Sequence, residues 1–128
     1  MFNQPDMAKL LLRVSAGGLM MFHGIHKLTH GIGGIKSMVV NAGIPELFAY
    51  GVYVGELIAP LFIILGLYAR VAAAVMGVNM LVAIWLAFGF SIGLDKNGGL
   101  LIETPLLYLA MSLLIVLLGS GKYAINAK

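Results

Sequence analysis

Five ionisable side chains in this sequence stand where lipid would not tolerate an unpaired charge. Arg13, His23 and Lys27 lie in or at the end of the first apolar stretch, Glu56 lies within the second, and Glu103 opens the last. A charge at bilayer depth costs from about 2.5 kcal/mol upward, so such groups face a protein interior, pair with one another and mark ligand or proton pathways. A histidine beside carboxylates suits proton transfer, which makes His23, Glu56 and Glu103 the candidate catalytic residues. Arg13, His23, Lys27, Glu56 and Asn79 supply the donors and acceptors of a binding site.

Their spacing says which of them can meet. Arg13 and Lys27 are fourteen residues apart, which leaves them only about 40° apart around a helix axis. His23 falls four residues before Lys27, and Ala16, Gly17, Met20 and Gly24 complete the stripe. Small residues admit a neighbouring helix closely, so a basic stripe lined with them belongs in an interior. A rise of about 1.5 Å per residue puts Arg13 roughly 9 Å in from one membrane face and Glu56 roughly 13 Å in from the other. An extended arginine spans the gap that remains, so an Arg13–Glu56 pair near the midplane is expected. Pro60 lacks the N–H that would bond the Glu56 carbonyl, which therefore needs a side chain, a water or a ligand. Glu103, followed by Thr104 and Pro105, suits the positive end of a helix and should lie level with His23 and Lys27. Asn79, in mid-span, can bridge helices or contact a ligand.

Other patterns carry less. His26 and His30 are spaced four apart but have no acidic residue close by, and no metal site is expected from them. The eight methionines show no paired clustering and read as core filler. The glycines between Gly31 and Gly34 follow no strand, so they are not a phosphate loop. Zero cysteine argues against thiol redox chemistry and against thiolate-held zinc or iron–sulfur centres. With no Lys/Arg tract, no nucleic-acid partner is expected.

The elements that must position these residues follow from hydropathy. Hydrophobic residues make up 61% of the 128 and charged ones 10%, where a soluble domain carries about 25% charged residues. That surface faces lipid. Four stretches, 7–25, 47–67, 71–90 and 101–119, approach the ~20 apolar residues a span needs. The expected fold is all-α: one domain over 1–128, with four transmembrane helices in a bundle. The N-terminal stretch lacks a small-x-small cleavage site and reads as the first membrane helix rather than a signal peptide. In the loop 27–46, Ile35, Met38, Val39 and Ala42 recur at helical spacing, which predicts a short amphipathic helix at the interface or over the bundle mouth. Residues 91–100 form a loop. Four crossings place Lys9, Arg70, Lys122 and Lys128 on one side and Lys27, Lys36 and Lys96 on the other. The positive-inside rule then puts both termini in the cytoplasm, by four residues to three.

The chain resembles the DoxX family of small four-helix membrane proteins. The resemblance rests on Leu12-Arg13, on Phe22-His23-Gly24-x-x-Lys27, and on the loop from Gly33-Gly34 to Gly43-Ile44-Pro45. It continues through Gly55-Glu56, Leu65-Gly66-Leu67-Tyr68-Ala69-Arg70 and Gly119-Ser120-Gly121-Lys122-Tyr123. The family's usual closing Gly-Pro-Gly-Arg is here Gly-Ser-Gly-Lys. The resemblance implies a bacterial or archaeal inner-membrane component of a quinone-linked oxidoreductase or redox-stress system, with a quinone as its non-covalent cofactor. His23 would then donate a proton or ligate a quinone carbonyl, with Glu56 and Glu103 as the proton path. Arg13 would hold Glu56 ionised or stabilise a quinol anion; a small anionic ligand suits the same basic stripe. No flavin, haem or thiol motif is present, so electrons would come from a soluble or membrane redox partner. The alternative is a non-enzymatic scaffold, assembly factor or small-solute transporter subunit. Small multidrug exporters also have four helices, but their first span carries a glutamate for cations where this one carries an arginine. Four short helices bury little, and a homodimer is compatible with them.

Overall fold

The computed structural model describes residues 4–89, 93, 94, 96, 98–100 and 102–126. The expected end of the third span at Phe90, and the loop residues Asp95 and Asn97, lie outside the described residues, as does Lys128. Among the described residues five helices follow in order: α1 (Pro5–His30), α2 (Gly33–Asn41), α3 (Glu46–Leu65), α4 (Ala69–Phe88) and α5 (Glu103–Leu118). Among the described residues the only strand-like pairing is a single antiparallel bridge between Leu94 and Leu100.

Helix α1 runs further than its apolar stretch because its ends are suited to a helix. Pro5 sits in the first turn beside Asp6, and Lys27 and His30 occupy the last turn, where cations meet the negative end of the helix dipole. Gly31 then ends it with a φ of +84°.

Helix α3 is irregular. It begins as a tight 3-10 turn over Glu46–Tyr50 and widens over Val54–Ile58, where the Ala59 N–H bonds the Val54 carbonyl five residues back. Pro60 accounts for the widening: it offers no N–H to the turn before it. Such π-turns often lie at functional sites, and this one carries Glu56.

Helix α1 packs against α3 and α5, and α4 packs against α3 and α5. The seam between them holds Ala16, Met20, Ala59, Ile63, Ala72, Ala73, Met76, Met80, Tyr108 and Ile115. The α1 stripe is buried as its spacing predicts at Arg13, Ala16, Gly17, Met20 and Gly24. A Cβ on Gly24 would overlap the Glu56 carbonyl oxygen, and one on Gly17 would stand 2.8 Å from the Pro60 carbonyl. Only glycine lets the two backbones approach this closely. The carbonyl that Pro60 leaves without its usual donor thus faces Gly24 of α1.

Helix α2 forms where the loop periodicity predicts one. It docks through Val39, which is buried with Ile32 and Ala49 against Ile35, Val52, Tyr53 and Leu86; Ala42, expected on the same stripe, is exposed. At the other end of the molecule the chain after α5 returns along the α3–α4 turn. Ile125 N–H bonds the Leu65 carbonyl at 3.1 Å, Asn126 N–H bonds the Gly66 carbonyl at 3.1 Å, and Lys122 N–H reaches Asp6 Oδ1 at 3.1 Å.

The exterior is apolar. Leu19, Phe22, Leu61, Val78, Leu107, Leu113 and Leu117 are all exposed, while Arg13 and Glu56 are buried. Helix α3 (Glu46–Leu65) and the α4 segment Ala69–Ala87 are long and apolar enough to cross a bilayer; α5 is apolar but shorter.

Candidate functional site

The register between α1 and α3 decides the pairing of the buried charges. These helices run antiparallel, with Gly17 beside Pro60 and Ile63, Gly24 beside Glu56 and Leu57, and the Tyr53 hydroxyl bonding the Lys27 carbonyl at 3.3 Å. Arg13 therefore lies next to the end of α3, about ten residues or ~15 Å along the axis from Glu56. The expected Arg13–Glu56 pair does not form. Arg13 Nη1 donates to the carbonyls of Ile63 and Ile64, each at 3.1 Å, and Nη2 donates to the Tyr123 carbonyl. Its charge thus serves the carbonyl end of α3 and ties down the C-terminal segment. Gly66, with a φ of +71°, makes room for it, since a Cβ there would stand 2.6 Å from Arg13 Nη1.

Glu56 takes Lys27 instead. Lys27 Nζ donates to both carboxylate oxygens at 2.6 Å, and Asn79 Nδ2 donates to Oε2 at 3.0 Å. Three helices thus meet on one carboxylate that is 2% exposed, while the Lys27 side chain remains 28% exposed. Asn79 reaches it because residue 55 is glycine: a Cβ there would stand 2.5 Å from the Asn79 side chain. The bridging role expected of Asn79 is what this geometry provides.

Two cavities share this ion pair as a wall. The first, of about 450 Å³, lies between α2, α3 and α4 and is lined mostly by apolar side chains, among them Ile35, Val39, Val52, Val78 and Leu86. Its polar edge is Lys27, Glu56 and Asn79. The second, of about 160 Å³, lies between α1, α4 and α5 and is lined by Met20, His23, Lys27, Glu56, Met80, Ala83, Thr104, Pro105 and Tyr108.

The remaining candidates fall as follows. His23 borders the second cavity, its ring edge-on to Tyr108 at 5.5 Å between centroids. Glu103 is level with this cavity, as its neighbours Thr104 and Pro105 show, but it is exposed and lines neither space. The interior stripe therefore divides in two, a clamp at Arg13 and a site at Lys27–Glu56–Asn79. Tyr108 has no place in the sequence reading, and Thr104 and Gly55 enter it only as neighbours of Glu103 and Glu56, not as site residues. Gly55, adjoining a buried carboxylate, was the available signal; nothing in their spacing marks Tyr108 and Thr104.

At the edge of the first cavity α2 is anchored by Lys36, whose Nζ lies 3.8 Å from Glu46 and 4.8 Å from the Tyr50 ring centroid. Side-chain hydrogen bonding to Tyr50 raises the Lys36 pKa; burial opposes it, and the charges of Tyr50, Glu46 and Tyr53 add to the rise. This anchor keeps its charge throughout the neutral range and loses it only in strong alkali.

An apolar exterior around a buried, hydrogen-bonded ion pair, with cavities on both sides of it, defines an all-α membrane protein with an interior polar site. Residues 8–89 match DoxX, and the chain belongs to that family. The match takes in α1 through α4, and with them Lys27, Glu56 and Asn79. No curated protein and no solved structure matches the chain.

Proposed function

We propose that this protein is an integral membrane component of a quinone-linked oxidoreductase or redox-stress system, holding a quinone in the larger cavity. The observation that carries this reading is the composition of that cavity: about 450 Å³ of mostly apolar wall with one polar edge at Lys27, Glu56 and Asn79. Such a space suits a ligand with an apolar body and a hydrogen-bonding head. Lys27 and the Asn79 amide are the donors that would meet a quinone carbonyl. The ion pair is neutral overall, and Arg13 is committed to carbonyls; both points favour a neutral head over the small anion.

In this reading α1, α3, α4 and α5 each cross the bilayer of a bacterial or archaeal inner membrane. The N-terminal part of α1, the α3–α4 turn and the C-terminal segment cluster at one end, which is compatible with both termini lying in the cytoplasm. Electrons would be exchanged with a separate redox partner.

The test is direct. The protein is purified in lipid nanodiscs and extracted for bound quinone, and a short-chain quinone is then titrated into wild type, Asn79→Leu and the cavity-filling Leu86→Trp. Saturable binding that is weakened in both variants is expected. Absence of extracted quinone together with no saturable binding would sink the proposal and leave the scaffold or transporter-subunit reading.

A further inference from the structure

The smaller cavity has no part in holding the quinone, yet it reaches the same carboxylate. We propose that it is a water-filled vestibule through which protons reach Glu56 from one face of the membrane, so that protonation of Glu56 controls ligand binding in the larger cavity. The proposal rests on the quinone reading only for the identity of that ligand.

Size and lining support water. A volume of about 160 Å³ holds several waters at the ~30 Å³ each occupies in the liquid. A buried water also needs two to four polar partners, and His23, Lys27, Glu56, Thr104 and Tyr108 line this space. The larger cavity offers polar partners at one edge only. His23 and Thr104 are exposed, whereas Met20, Met80 and Tyr108 are buried, so the space runs inward from the end of α1 and the start of α5. It ends on Glu56.

The groups around Glu56 come from every helix near it: Lys27 of α1 and Asn79 of α4 bond it, His23 of α1 and Tyr108 and Thr104 of α5 share the vestibule wall with it, and on α3 itself Tyr53 bonds the Lys27 carbonyl. Glu103 lies outside this set. In the step proposed, a hydronium ion in the vestibule gives its proton to a Glu56 oxygen, leaving water and a carboxylic acid. No electrons move, and Lys27 keeps its charge. The site changes from neutral to singly positive, and the carboxyl gains an O–H that can donate to a carbonyl in the larger cavity. Loss of the proton reverses both changes.

The first test needs no quinone. Because the chain has no cysteine, Met20→Cys and Met80→Cys each place a lone thiol in the vestibule wall, and Leu107→Cys places one on the exposed apolar face. A cysteine thiolate attacks the sulfur of a charged, water-soluble methanethiosulfonate and expels methanesulfinate, and thiolates form in water and not in lipid. Both vestibule thiols should therefore react at least about tenfold faster than the lipid-facing one. Equal rates overturn the vestibule, whatever the quinone titration shows. The second test follows the infrared carboxyl band of Glu56, identified by its loss in Glu56→Gln, after a jump from alkaline to acidic solution. The band should appear in wild type, and Thr104→Trp, which plugs the opening, should delay it by at least about tenfold, a barrier increase of ~1.4 kcal/mol. No band on acidification, or an undelayed one in a folded plugged variant, overturns the proton route. Should the plug fail to fold, the thiol rates and the wild-type band still decide it.

Discussion

Removing Lys27 should cost more than removing the charge of Glu56, although they are the two halves of one ion pair. At 2.6 Å and an effective dielectric constant near 20, the attraction is roughly 6 kcal/mol before the desolvation of both ions is subtracted. Burial makes the halves unequal. In Lys27→Met the carboxylate stays in place, 2% exposed, with Asn79 as its remaining hydrogen-bond donor, and stranding a buried charge costs about 3–5 kcal/mol. In Glu56→Gln the stranded partner is a lysine with 28% of its side chain already exposed, free to swing its ammonium outward. The glutamine still accepts hydrogen bonds, so this change should cost about 1–2 kcal/mol. The assay is reversible unfolding in mixed micelles, followed by helical circular dichroism, on both single variants and the double variant. The double variant should fall short of the sum of the two by about 2 kcal/mol or more. Acidification, which neutralises a stranded carboxylate, should restore part of the stability of Lys27→Met and none of that of Glu56→Gln. Equal costs for the two single variants, or strict additivity, would refute the argument from burial.

Other expectations can be checked on the same preparations. Gly24→Ala puts a methyl group onto the Glu56 carbonyl oxygen and should cost about 1–3 kcal/mol by overpacking. Gly18→Ala, with nothing within 4 Å of its new Cβ, is the matched control and should hold or slightly raise the melting temperature, since alanine favours a helix interior over glycine. Arg13→Met removes three charge-assisted bonds to carbonyls and should cost at least about 3 kcal/mol. Limited trypsin digestion should then cut faster at Lys122, whose segment Arg13 ties down. Gly55→Ala should push Asn79 away from Glu56, since its Cβ would stand 2.5 Å from the Asn79 side chain; quinone affinity should fall while the fold survives, as judged by circular dichroism.

Much of this molecule was legible in the residues alone. Long apolar runs punctuated by glycine and loop residues mark α3, α4 and α5, because a chain in lipid must satisfy its backbone internally. The repeat of Ile35, Met38 and Val39 marks α2. Small residues on the Arg13 side of α1 mark its buried face, and Pro60 marks a site where α3 departs from regular geometry. Glu56, too deep to reach either membrane face easily, is identified as a buried carboxylate by position alone.

What spacing could not supply was the partner of each charge. Depth counted from approximate span ends placed Arg13 within reach of Glu56 and left Lys27 at a helix end. The antiparallel register, set by Gly17 and Gly24 against the α3 backbone, moved Arg13 to the carbonyl end of α3 and brought Lys27 onto Glu56. A shift of one helical turn is about 5.4 Å, well beyond the length of a hydrogen bond, so an error of a few residues in a helix end is enough to exchange one partner for another. Glu103 shows the same limit in rotation: it has the right height and faces away. The sequence determined that a basic stripe and a buried carboxylate share the interior of a membrane protein. Only the packing of four helices decided which cation meets that carboxylate and which cavities open on it, because both depend on distances between elements far apart in the chain.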